Sequence, residues 1–293
     1  MNIVFYTSGI SGTGRVVTGI SIYNALKRKQ IQCNYTMVTH SPAGFLAQDS
    51  GIEHVQLPLE DEHQLSRKHF HSSVLYHTLT VLKPDILIVY LQWFTILTFL
   101  DDLKCIKLFI AHQVNKNFFT IETEIGQYHF NPEQYNVITS IEPAPFPFTV
   151  ININPLIMKN HDEILSKKQA QLILNIPDSK KCCLISISGY EQESMQYEQY
   201  YPQHLEDDYY CISSSNYDLD NHFPIVNYFN AFDMIICGAG YNSFWETRFF
   251  NKQAIIIPFK RVFEDQFYRV NNYANYTFTK NGADQLVDVL LTL

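Results

Sequence analysis

The residues best suited to chemistry are concentrated between Gly238 and Arg269, in GAGYNSFWETRFFNKQAIIIPFKRVFEDQFYR. Asp233 to Cys237 (DMIIC) is a short apolar run of the kind buried in a parallel sheet. Gly238 and Gly240 allow a sharp turn and a close approach to a ligand, because neither carries a Cβ. Asn242 or Ser243 is placed to cap a helix running to about Phe250. A helix that begins just past a strand's carboxyl end presents backbone N–H groups and the positive end of a dipole, which suits phosphate. Glu246 follows inside the first turns, where a carboxylate can accept two hydroxyl hydrogen bonds of the kind a ribose offers. Ala254 to Ile257 reads as a second buried strand, stopped at Pro258, and Asp265 and Gln266 open another helix. Glycine turns of this kind occur throughout doubly wound proteins. The order of parts, from glycine turn to acid to Asp-Gln, carries the reading.

A second glycine loop, Thr7 to Gly14 (TSGISGTG), follows the first strand, Asn2 to Tyr6. It approximates a P-loop, but Arg15 and Val16 stand where Lys and Ser/Thr are required, so a magnesium ligand for ATP is missing. It also fails the dinucleotide fingerprint: Val17 is bulky, and the second strand ends in Thr39-His40 without an acid for a ribose. Nucleotide-dependent phosphoryl transfer and NAD or FAD binding are therefore disfavoured. The glycines still lie where a doubly wound domain receives a ligand.

The elements that must hold these loops alternate. Helix Arg15–Lys29, strand Cys33–Thr39, a strand near His54–Leu57, a polar helix from about Glu62 to Leu82, strand Ile86–Tyr90, helix 93–103, strand Ile106–Ala111 and a strand within Tyr135–Glu142 make up the first half. Prolines 143, 145 and 147 and the run Thr149–Pro155 mark a crossing. Helix 162–174, strand Cys182–Ile187, helix 191–204, strand Tyr209–Ser213, a helix near Pro224–Asn230 and a final helix from Ala283 make up the second. Alternation of this kind implies parallel sheets flanked by helices. The expected organisation is an α/β protein of two Rossmann-like domains, residues 1–150 on the acceptor side and 151–293 on the nucleotide side, with the last helix free to pack back on the first domain.

Composition narrows the partners. A net charge of −8 argues against a nucleic-acid backbone. The six cysteines lie mostly in strand-like apolar runs without a C-x-x-C pair, which predicts reduced core thiols rather than zinc or disulfides. The N-terminus enters a strand directly, without the pattern of a secretory signal. The longest apolar run, Ile86 to Leu100, contains Gln92 and falls short of the roughly 18–20 residues of a membrane span. A cytoplasmic location follows, with peripheral contact at the inner membrane face left open. Histidines 63, 69, 71 and 77 lack the i, i+4 spacing of a helical zinc site, and Asp218-Leu219-Asp220 reads as a solvated turn rather than a D-x-D metal motif. No metal is expected.

These motifs in this order resemble the GT-B glycosyltransferases of the MurG type, which use UDP-sugars. The resemblance rests on the first glycine loop, on His112-Gln113-Val114-Asn115 after a central strand, on Gly240-Tyr-Asn-Ser-Phe-Trp-Glu246 and on Glu264-Asp-Gln266. It implies two Rossmann-like domains across a cleft, with the nucleotide mainly on the second. It implies that Glu246 holds the ribose, that Ser188, Gly189, Gly240, Tyr241, Asn242 and Ser243 line the diphosphate, and that Asp265 and Gln266 touch the donor sugar. Gly12, Thr13, Gly14 and Asn115 become the acceptor-side loops. His112 is the expected base, and Arg15 stands where the family loop carries a His. Gln113 replaces a family Glu. The function so implied is metal-independent transfer of a sugar from a nucleotide donor, with UDP expected, to an acceptor hydroxyl, and no separate cofactor, since the nucleotide-sugar is a substrate. A UDP-sugar hydrolase or epimerase on the same fold, and a binding protein without catalysis, are the alternatives.

Overall fold

A computed structural model describes residues 1–9, 12–187, 193–215 and 222–293. It divides into two units, one of Met1–Pro155, Val262–Glu264 and Gly282–Leu293, the other of Leu156–Arg261 and Asp265–Asn281.

The first unit is built on strands β1 (Asn2–Thr7), β2 (Asn34–Thr39), β3 (Glu53–Gln56), β4 (Ile86–Tyr90), β5 (Ile106–Ala111), β8 (Val137–Ser140) and β9 (Ile151–Asn152). They form one parallel sheet in the order β3-β2-β1-β4-β5-β8-β9. The central strands β1, β4 and β5 are almost wholly buried, as expected for apolar runs covered on both faces. Helix α1 (Gly14–Arg28) follows β1, α2 (Phe45–Asp49) precedes β3, and α3 (Val74–Leu82) precedes β4. A small antiparallel hairpin, β6 (Thr120–Thr123) and β7 (Gly126–His129), lies between β5 and β8. No feature of the sequence reading anticipated it.

Five expected helices are shorter or of another kind, three of them as follows. The one read from Glu62 to Leu82 is confined to α3, because Ser73 is extended and its hydroxyl caps Tyr76 N, while the Glu60 carboxylate accepts from Val74 N and Leu75 N. Those caps fix the helix start at residue 74 and leave 62–69 in turns. The helix read over 93–103 is a series of turns ending in a 3₁₀ segment at Leu100–Asp102. Its bonds run from Ile96 N to Trp93 O, Phe99 N to Ile96 O and Asp102 N to Phe99 O, and buried Trp93, Ile96 and Phe99 fall three residues apart, the 3₁₀ period. The segment at Ile225–Ala231 is likewise 3₁₀.

The second unit has α4 (Lys167–Ile173), β10 (Lys181–Ile187), α5 (Ser194–Tyr197), α6 (Leu205–Asp208), β11 (Tyr209–Ser215), β12 (Met234–Gly238), α7 (Tyr241–Phe249), β13 (Ala254–Ile257) and α8 (Gln266–Tyr273). Its four strands are parallel in the order β11-β10-β12-β13. Helix α4 starts at residue 167 rather than 162, since Ser166 and Gln169 form a capping box there. The helix expected over 191–204 is reduced to α5 and a 3₁₀ turn at Glu198–Tyr200; residues 191 and 192 lie outside the described residues. The last helix, α9 (Gly282–Leu290), belongs to the first unit, where Arg28 and Asp284 make an ion pair between α1 and α9.

Candidate active site

In the second unit, buried β12 runs into Ala239 and Gly240, and α7 begins at once. The cap of α7 is Gly240, in extended conformation, not Asn242 or Ser243. Those two side chains fall inside the first turn, because Tyr241 is already helical and its hydroxyl accepts from Leu156 N at 2.8 Å. Gly240 has no side chain with which to cap α7, and no acid lies in the first turn. Its positive end therefore has no carboxylate of its own first turn beside it. Among the described residues, a Cβ placed on Gly240 would meet nothing within 4 Å. The turn is braced from behind: Ala239 N donates to Ile257 O, and the fully buried Arg269 guanidinium donates to Ala239 O at 2.9 Å while lying 5.8 Å from the Tyr241 ring.

Glu246 lies on α7 and is 9 % exposed. Burial lifts its carboxyl from the ordinary 4.5 to about 8, and it acts in turn on the Cys237 thiol of β12. Among the described residues its carboxylate has no hydrogen-bond or ion-pair partner. A carboxylate kept out of water without a partner is costly unless a ligand satisfies it.

Asp265 and Gln266 do open α8, but both carry structural duties. The Asp265 carboxylate caps the helix by accepting from Tyr268 N at 2.8 Å, and the buried Gln266 amide oxygen accepts from Phe259 N at 2.9 Å. Ser188 and Gly189, and with them Asp218 and Asp220, lie outside the described residues.

In the first unit, Gly12 has a positive φ of 77° that favours glycine, Thr13 is the N-cap of α1 without using its side chain, and Gly14 opens the helix. Arg15 turns its guanidinium back into the unit, donating to Ser8 O and to Gln92 Oε1. Burial pushes the Arg15 guanidinium below its usual value, opposed by Tyr90, Glu264 and Tyr6. Buried His112, just past β5, has its Nδ1 3.1 Å from the Tyr90 hydroxyl at the end of β4. The Gln113 backbone N–H donates to the buried Glu142 carboxylate at 2.6 Å. Asn115 holds the Val262–Glu264 segment to this unit through Asn115 N to Phe263 O (2.8 Å) and Nδ2 to Val262 O (2.9 Å). Arg15, Tyr90, His112, Glu142 and Glu264 thus form one polar cluster at the carboxyl ends of the central strands. The sequence reading singled out neither Tyr90 nor Glu142. Their signal is positional, since Tyr90 ends β4 and Glu142 lies two residues past β8, the two strands beside β5.

Among the described residues no group of His, Cys, Asp and Glu is arranged to hold a metal ion, and no helix is long and apolar enough to cross a membrane.

The fold is that of the GT-B glycosyltransferases, two parallel α/β units. Residues 158–287 match the model of the glycosyltransferase family 28 C-terminal domain. Similar solved structures include MurG of Acinetobacter baumannii (14 % identity, TM-score 0.53, 99 % of this chain and 90 % of that one) and SnogD of Streptomyces nogalater (13 %, 0.59, 99 % and 91 %). The glycosyltransferase VinC, solved in complex with dTDP, is similar at 12 % identity and a TM-score of 0.58 over 99 % of this chain and 90 % of that one. No curated protein matches at the level of sequence. The chain is similar to the MurG type, as its motifs implied.

Proposed function

We propose that this protein transfers a sugar from a nucleoside diphosphate donor, with UDP the expected nucleotide, to an acceptor hydroxyl. The observation that carries the reading is the buried Glu246 carboxylate, without a partner among the described residues, on the helix that starts at Gly240, where a Cβ would meet no described atom within 4 Å. Glu246 accepts the ribose hydroxyls. The diphosphate lies against the first turn of α7, contacting Gly240, Tyr241, Asn242 and Ser243. Charge developing on the leaving diphosphate is then stabilised by backbone N–H groups and the helix dipole, so that this step needs neither metal nor cofactor. Support for a nucleotide comes also from the dTDP held by VinC.

The sugar passes to an acceptor oxygen whose proton His112 accepts. Asp265 and Gln266, engaged as cap and strand anchor, present to the sugar only the polar atoms those duties leave over. Gly12, Thr13, Gly14, Arg15 and Asn115 shape the acceptor side of the first unit.

The test is thermal shift and calorimetry with UDP, dTDP, GDP and CMP-sugars on wild type and Glu246→Ala. A shift with UDP or dTDP in wild type that disappears in the variant supports the site. No shift with any of the four overturns the nucleotide reading.

A further inference from the structure

We propose that Arg269 is a positioning residue for the diphosphate: by holding the Ala239 carbonyl from the buried side, it keeps Gly240 N–H turned toward the phosphate oxygens. This rests on the diphosphate lying against the first turn of α7. Arg269 lies on α8 three residues past Gln266, and both side chains are buried on one face of that helix. Gln266 ties α8 to the chain just past β13 through Phe259 N, so the Arg269 side chain starts from a fixed base. A guanidinium stays charged at every working pH, and burying it completely is costly unless its donors are used. One donor is used on the glycine turn, where Nη1 reaches Ala239 O at 2.9 Å.

Ala239 and Gly240 have four backbone polar groups to satisfy. Ala239 N donates to Ile257 O at 2.8 Å, Ala239 O accepts from Arg269, and Gly240 O accepts from Phe244 N at 3.0 Å. The fourth is Gly240 N–H, and among the described residues it has no partner. The Ala239–Gly240 peptide is trans, so this N–H points opposite to the carbonyl that Arg269 holds. With glycine on its carboxyl side, this peptide meets little steric resistance to flipping. A flip would present a carbonyl oxygen where a donor is needed, and that oxygen would repel a diphosphate. The Arg269 hydrogen bond opposes the flip without touching the ligand.

UDP and uridine separate this role from mere support of the fold, since uridine offers Glu246 its ribose but carries no phosphate. The test is calorimetry of both ligands on wild type and on Arg269→Met, which keeps the length of the side chain without its donors, with folding confirmed by amide dispersion. UDP affinity should fall about tenfold, the worth of roughly one hydrogen bond to a charged group, while uridine affinity is unchanged. Alongside it, ¹H–¹⁵N spectra are taken of wild-type protein labelled at glycine, with Gly240 assigned by the loss of its signal in Gly240→Ala. The Gly240 amide proton should move downfield on addition of UDP and stay in place with uridine. Equal losses for the two ligands, or undiminished UDP affinity in the folded variant, would overturn the proposal. So would a Gly240 amide indifferent to saturating UDP, a result read on wild type and decisive even where Arg269→Met fails to fold. Wild-type protein that binds no UDP would overturn the nucleotide reading itself, which separates the two failures.

Discussion

Glu246 is an acid whose burial works against its charge, and the pH dependence of stability should report it. With the folded pKa lifted to about 8 from an ordinary 4.5, the folded protein holds a proton that the unfolded chain has lost anywhere between those values. Stability contributed by the neutral carboxyl is fully present below pH 4.5, declines as pH rises and is gone above pH 8. Denaturant midpoints measured from pH 5 to 8.5 should fall in wild type and fall less in Glu246→Gln. Equal slopes would show that the carboxyl titrates elsewhere. Nucleotide binding should reverse the sign. Ribose hydroxyls donating to the charged carboxylate favour ionisation, so UDP should bind more tightly as pH rises toward 8 and release a proton, read as a dependence of calorimetric heat on buffer. At this scale the turn and helix that carry Gly240 to Glu246 were legible in sequence, because they are one continuous run. Tyr90 and Glu142 were not, since Tyr90 meets His112 and Glu142 meets Gln113 only after strands 22 or more residues apart are laid side by side.

Helix α7 offers a separation of folding from binding. Gly240 has φ −59°, allowed for any residue, and no described atom within 4 Å of its missing Cβ. Gly240→Ala should therefore fold with a melting temperature close to wild type while weakening diphosphate binding, because the methyl group enters the space before the helix end. Ser243→Asp should act in opposite directions on the two. A carboxylate in the first turn should stabilise the helix by about 0.3–1 kcal/mol and repel a diphosphate. Melting temperature and UDP affinity measured on one sample check both, and improved binding would refute phosphate at this end. Buried strands were the most legible elements: Ile86–Tyr90, Ile106–Ala111 and Ala254–Ile257 appear with the bounds their apolar runs suggest. Helices were less so. Trp93, Ile96 and Phe99 carry a three-residue spacing that an α-helical reading overlooks, and the cap at Ser73 outweighs the polar run before it.

At the scale of the whole molecule, the alternation of strands and helices correctly gave two parallel α/β sheets, but the chain does not divide at one point. The first unit takes back Val262–Glu264 and Gly282–Leu293. Gly282 is packed so tightly that a Cβ would lie 1.7 Å from Asn154 O, and its own N–H donates to Pro155 O. Gly282→Ala should lower stability by about 3 kcal/mol, measured by denaturant unfolding, since only backbone movement can relieve the overlap. A neutral result would mean the segment moves freely. The α9 helix buries Ala283, Leu286, Val287 and Leu290, and Arg28 pairs with Asp284. This return of the chain bears on synthesis. The unit translated first lacks a helix until the unit translated second has been made, so on the ribosome the order of completion is inverted. A nascent chain stopped before residue 282 should present the outer face of α1 to chaperones and proteases, and only release of the remaining residues should close it.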